Sequence, residues 1–273
     1  MFRKLICSML FVVTLFNCQI ASAYSIYQSS DGLVVFLGSE LFERVIVSQG
    51  SSVDELIFRV ETGYDGDFEE YSFRDVTGII IDFGGASYVH PESLRMENVI
   101  IDGHVLVVAS TWSTAFLDID NSLIIGDLFY IGNSGLDFPT IENSTILGGV
   151  DFLLKGHTDR ITLSSTVFYG DVSVNTGSGE GHVDLVECQF DQDLLIEGKN
   201  KRDEVYVDDC SVSGETTIGL FGGVDELTVL DSTFGISTLF NGGGSAFDTG
   251  NGGGNVFYGK STLIYGFELG NFQ

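Results

Sequence analysis

Four aspartates, Asp184, Asp208, Asp209 and Asp231, are the residues through which this chain could do acid–base chemistry. Glycoside hydrolysis needs two carboxyls on one face at a fixed gap, one donating a proton and the other remaining ionised. Asp208 and Asp209 are adjacent, and Asp184, Glu187 and Asp231 lie close to one repeat away on either side. A lyase would also want an exposed arginine or lysine beside bound Ca²⁺. The nearest cations, Lys199, Lys201 and Arg202, cluster in a segment read as a loop, where they solvate a turn. The histidines, His90, His104, His157 and His182, show no His-x-x-x-His pairing, and three of them follow glycine, so they read as turn residues. No nucleophile elbow, P-loop or dinucleotide fingerprint is present.

Cys188 and Cys210 are 22 residues apart. If they stack one coil apart, their Cα atoms sit ~4.8 Å from each other, within disulfide range. Their Cβ atoms sit equally far apart, which is long for an unstrained bridge and favours two packed thiols.

These residues need elements to hold them. The chain opens with Arg3 and Lys4, an apolar run from Leu5 to Phe16, and Ala21-Ser22-Ala23, the pattern of a cleaved secretory signal. Residues 1–23 are therefore expected to leave, with Tyr24 first in the mature chain. The signal holds two of the 12 basic residues and none of the 39 acidic ones, so the mature charge is 10 − 39 = −29. Such a field disfavours nucleic acid and anionic lipid as partners and leaves divalent cations as counter-ions. No later segment reads as a membrane-spanning helix. With 44% apolar residues, 22 Phe, 35 Gly and only two Pro, the chain can bury a core and turn tightly, and its β-branched and aromatic bias makes it all-β.

The decisive pattern is a repeat. Glu97-Asn98-Val99, Asp120-Asn121-Ser122, Glu142-Asn143-Ser144, Ser164-Ser165, Glu187-Cys188, Asp209-Cys210 and Asp231-Ser232 set up a column at Val99, Ser122, Ser144, Ser165, Cys188, Cys210 and Ser232. Its spacings are 23, 22, 21, 23, 22 and 22 residues. Two positions on stand Ile101, Ile124, Ile146, Val167, Phe190, Val212 and Phe234. Before and after the column, apolar residues alternate at period two, the signature of half-buried strands. A unit this short cannot bury its inward face alone, so the coils must stack. The expectation is a right-handed parallel β-helix of about 22 residues per coil. Residues 24–93 are read as an N-terminal cap with the first irregular coils, and residues 94–273 as regular coils with a C-terminal cap. Tyr130, Tyr169 and Tyr206 are candidates for outward aromatic contacts.

This frame resembles the secreted bacterial β-helix proteins, among them adhesin-like and autotransporter-passenger-like repeats. The glycine-rich segments Asp82–Ser87 and Asn241–Asp248 resemble the Gly-Gly-x-Gly-x-Asp-x-apolar calcium nonapeptide, which names Asp82 and Asp248 as Ca²⁺ candidates. Phe247 stands at the aspartate position of the second segment, and no two such turns run consecutively, which favours metal-free turns. The polygalacturonase-like pattern is absent: Gly181-His182 precedes Asp208-Asp209, and there is no Arg-Ile-Lys. The resemblance implies a secreted or cell-surface, non-catalytic protein that is structural or binds a glycan or another envelope component. The alternative is a polysaccharide-active enzyme, a lyase or glycosidase, with its site on the solenoid face. Neither reading needs a cofactor, and nothing in the sequence specifies an oligomeric state.

Overall fold

The computed structural model describes residues 24–38, 43–62, 67–84, 91–111, 113–244, 248–259 and 261–267. The expected signal, His90, Ser87 and Phe247 lie outside the described residues. Those described form strands without any helix, stacked as a parallel β-solenoid of about eight turns some 22 residues apart.

Each turn contributes three strands, as in Ala115–Asp120, Leu123–Ile124 and Leu128–Ile131. Stacked rung on rung, they give a long-strand sheet, a short-strand sheet and a third sheet. Registers run Leu117↔Pro139, Ile124↔Ile146 and Tyr130↔Phe152. Alternation along each strand sends one set of side chains into the bore. Ile101, Ile124, Ile146, Phe168, Phe190, Val212 and Phe234 form one such ladder, each 2% exposed or less. Phe168 and Phe190 stack with ring centroids 5.1 Å apart at 7°, the geometry that identical rungs impose on aromatics.

The column of small residues is shifted by one position from the sequence alignment in a single coil. Thr166, not Ser165, occupies it, and Phe168 rather than Val167 enters the core. Ser165 instead sits at the left-handed turn with Asn98, Asn121, Asn143, Glu187, Asp209 and Asp231, all at φ between 44° and 56°. The column is thus Ser122, Ser144, Thr166, Cys188, Cys210 and Ser232 at a strict 22. In most rungs the backbone N–H donates to the next rung's hydroxyl or thiol, as from Ser122 N to Ser144 Oγ at 3.1 Å.

At the first end the long sheet is extended by an antiparallel meander of Glu43–Gln49, Glu55–Thr62 and Phe68–Arg74. The meander is tied to the strand Ser25–Gln28 and its approach. Tyr24 stacks on Phe36, its hydroxyl lies 3.0 Å from that of Tyr71, and Gln28 donates to the Arg74 carbonyl at 2.6 Å. Leu56, Phe58 and Val60 of its middle strand are buried against the core and close this rim.

Pro139 stands inside a central strand. The Asp137 N–H points towards the Thr158–Ser164 strand, so the alternate position Pro139 points there as well, with no N–H to give. Pairing with that strand begins only at Thr140↔Thr162.

Candidate functional site

The outer face of the long sheet carries two columns of side chains. The first reads Phe116, Phe138, Arg160, His182, Glu204 and Glu226; the second reads Asp118, Thr140, Thr162, Asp184, Tyr206 and Thr228. Neighbours in a column are separated by one rung, ~4.8 Å. Phe116 and Phe138 stack at 5.3 Å and 20°, and Phe116 stays 41% exposed, an aromatic surface held open to solvent. Beside this pair runs a chain of alternating charge. Arg160 donates twice to Asp184 Oδ2, from Nη2 at 2.7 Å and Nε at 3.1 Å. The His182 ring lies between two carboxylates, Nε2 3.0 Å from Asp184 Oδ1 and Nδ1 2.9 Å from Glu204 Oε2. Arg202 then pairs with Glu204 and with Glu226. On the next position Tyr206 donates to Asp208 Oδ2 at 3.0 Å.

The four acidic candidates therefore divide. Asp184 is the hub of the charge chain and Asp208 the acceptor of a tyrosine hydroxyl, both on the outer strand face. Asp209 and Asp231 occupy the left-handed turn, where a short polar side chain is wanted for backbone reasons. Lys199 and Lys201 lie in the Lys199–Arg202 loop, while Arg202 joins the outer face. Of the tyrosines, Tyr206 is on this face and Tyr169 is exposed beyond a short strand. Tyr130 is buried, because Leu128–Ile131 turns it into the bore, where it donates to Asp137 Oδ1 at 2.8 Å.

A second set of acids is one that periodicity did not single out. Glu43, Glu92, Asp137, Asp159, Asp203, Asp225 and Asp248 share one inward column at the start of the long strands, with Ala115 and Gly181 completing it. All seven are 1% exposed or less. In three rungs the N–H is met by the acid above: Asp137 N to Asp159 Oδ1 at 3.0 Å, Asp203 N to Asp225 Oδ1 at 2.8 Å, Asp225 N to Asp248 Oδ1 at 3.0 Å. Asp137 and Asp203 also accept an N–H from four residues earlier, at Asn133 and Lys199. The glycine before each donor, Gly132 and Gly198, makes room, because a Cβ there would lie 2.4 and 2.2 Å from the carboxylate oxygen. Burial pushes Asp137, Asp203 and Asp225 up to about 6. Burial, with Asp137 one rung below, pushes Asp159 up to about 8. These acids have the raised values of a general acid, but they are sealed inside the wall and touch no groove. Their spacing was visible as 22 (Asp137 to Asp159) and 22 (Asp203 to Asp225). It was hidden because acids in so acidic a chain are expected to face water.

The calcium candidates do not meet. Asp82 accepts the Gly84 N–H at 2.9 Å in an early coil, and Asp248 belongs to the buried column in the last. Among the described residues no group of three His, Cys, Asp or Glu is arranged to hold a metal ion. Cys188 and Cys210 are both buried free thiols. They act as their serine neighbours do: Cys188 N–H donates to Cys210 Sγ at 3.4 Å, and each thiol donates to the carbonyl two residues before it. The hydrogen bond to Cys188 and burial push the Cys210 thiol well above its ordinary range. Among the described residues no helix is long and apolar enough to cross a membrane. Comparison with family models, curated proteins and solved structures finds no match.

Proposed function

We propose that this is a non-catalytic secreted or cell-surface β-helix protein, whose long-sheet outer face binds a glycan or another extended envelope polymer. The observation that carries the reading is the Phe116–Phe138 pair, open to solvent and continued along the same flat columns by Arg160, Asp184 and Tyr206. Aromatic faces stack on apolar faces of sugar rings, while the charged and hydroxyl groups beside them give directional hydrogen bonds. A rung repeat of ~4.8 Å presents those groups at regular intervals along a line, which suits a linear ligand. The alternative of a polysaccharide-cleaving site is less well supported. Asp184 and Asp208 are engaged by Arg160, His182 and Tyr206, and the acids with raised proton affinity are enclosed in the wall.

The test is retention of the protein on neutral and acidic polysaccharides, with and without Ca²⁺, while released ends are assayed in the same tubes. Retention that Phe116→Ala with Phe138→Ala abolishes, with no new reducing or unsaturated ends, is the expected result. Time-dependent release of new ends, or retention indifferent to both phenylalanines, would overturn it.

A further inference from the structure

We propose that the corner between the short-strand sheet and the third sheet is a docking groove for a basic, amphipathic stretch of another protein, bound in extended form.

Three consecutive coils place a large apolar side chain just past the short strand. Ile125, Leu147 and Tyr169 are 41%, 42% and 47% exposed. They share one column, since their N–H groups donate to the carbonyls of Ile101, Ile124 and Ile146, one rung back. Ile100, 41% exposed, adjoins them on the outer face of the short strands, paired with Leu123. The core does not need these side chains, because the inward ladder already fills it. Exposed apolar residues are ordinary when scattered, but stacked ~4.8 Å apart they form one continuous ridge, the mark of a contact surface. The ridge has definite ends: Asp102 and Asp191 hold the same column in the coils before and after.

The next residue of each coil is a glycine, Gly126, Gly148 or Gly170. A Cβ at Gly148 or Gly170 would lie 2.4 Å from the carbonyl oxygen of the glycine one rung back, so coil packing excludes a side chain there. Beside the ridge therefore runs a floor of bare backbone. On its far side stand Asp127 and Asp171, in one column with Gly149 between them. Asp127 Oδ1 accepts the Gly149 N–H at 2.8 Å, and Asp171 Oδ1 accepts the Asp193 N–H at 3.3 Å. The groove thus has one apolar wall and one acidic wall.

Those walls specify the occupant. Successive side chains of an extended chain point to opposite sides, so a segment lying along the floor sends alternate residues to the two walls. Apolar residues then meet Ile125, Leu147 and Tyr169, while lysines or arginines meet Asp127 and Asp171. The acidic wall complements such a partner, and the chain's net charge of −27 steers it in. A second copy would bring its own Asp127 and Asp171 against this wall, and an anionic membrane is repelled by the same charge.

The test is fluorescence anisotropy of a labelled peptide of alternating leucine and lysine, titrated with the full chain. The expected result is saturable one-to-one binding that Ile125→Ser with Leu147→Ser weakens at least about tenfold, with the circular dichroism spectrum unchanged. Asp127→Asn with Asp171→Asn keeps the oxygens that accept the backbone N–H groups but removes the charge. This second pair should weaken binding and flatten its dependence on salt. Peptides of alternating leucine and glutamate, or serine and lysine, should bind at least about tenfold less tightly. Absence of saturable binding, equal affinity for the serine–lysine peptide, or an affinity that neither pair of substitutions changes would each overturn the proposal. So would self-association, or adsorption to phosphatidylcholine vesicles, that the serine pair abolishes in place of peptide binding.

Discussion

Stability should fall as pH rises from mildly acidic to mildly alkaline, and Asp159 should set the upper part of that fall. An unfolded aspartate titrates near ~3.9, whereas the folded Asp159 holds its proton to about 8. Between those values the folded state binds the extra proton, so stability declines with pH by about 1.4 kcal/mol per pH unit for each such group. Below about pH 4 both states are protonated and the penalty is absent; above about pH 8 it is complete. Asp137, Asp203 and Asp225, held to about 6, contribute mainly to the lower half of the window. From about pH 6.5 to pH 8 the slope should therefore approach that of one proton, about 2 kcal/mol in all. Asp159→Asn keeps the side-chain oxygen that accepts the Asp137 N–H but cannot ionise. Its buried amide costs about 1–3 kcal/mol where Oδ2 has no protein partner, so the variant should be no more stable at pH 5. Urea unfolding midpoints across the pH range, with m-values checked for constancy, give both curves. The variant's curve should flatten above about pH 7, once Asp137, Asp203 and Asp225 have ionised, while the parent's continues to fall. Parallel curves would refute the reasoning, because they would mean that Asp159 is ionised in both states.

Two further outcomes follow from the turns and the small-residue column. Glu187 is held at φ 55°, which costs a side chain about 1–2 kcal/mol, so Glu187→Gly should stabilise by roughly 1 kcal/mol in a urea titration despite losing the Ser165 contact. Cys210→Ser should be nearly neutral, since serine fills the equivalent place in neighbouring rungs. Cys210→Ala should cost about 1–3 kcal/mol, because it leaves the buried Cys188 N–H without an acceptor. Equal losses in the two cysteine variants would remove the thiol's role as acceptor.

The repeat was legible because stacking imposes one period on every column. Ile124, Ile146, Phe190 and Val212 announce the core in the sequence, and their inward positions follow. The one slip, Ser165 against Thr166, arose where three consecutive small residues offered no contrast; the left-handed turn, a backbone property, decides between them. Asp209 and Asp231 looked chemical because acids at a regular interval suggest a site, yet their shared property is a positive φ. The outer face is legible in the sequence only in fragments: Asp184, Tyr206 and Arg202 stand out singly, but Phe116 over Phe138 emerges only when rungs are laid in register. The buried acid column stayed hidden because its function is to satisfy main-chain N–H groups at the strand starts, a demand that exists only once the coils are stacked.

The break at Pro139 gives the solenoid a weakest plane. Missing there is a ladder bond towards the Thr158–Ser164 strand, and across the same plane Asp137 faces Asp159, the acid with the largest shift in the wall. In a stack where each rung touches only its neighbours, resistance to pulling or shearing is set by the poorest junction. Under load along its axis the molecule should part between these two coils, leaving an amino-terminal block that carries the meander and a carboxyl-terminal block that carries most of the charge chain. The stack is then mechanically two segments in series, with a joint whose strength falls as the medium becomes alkaline.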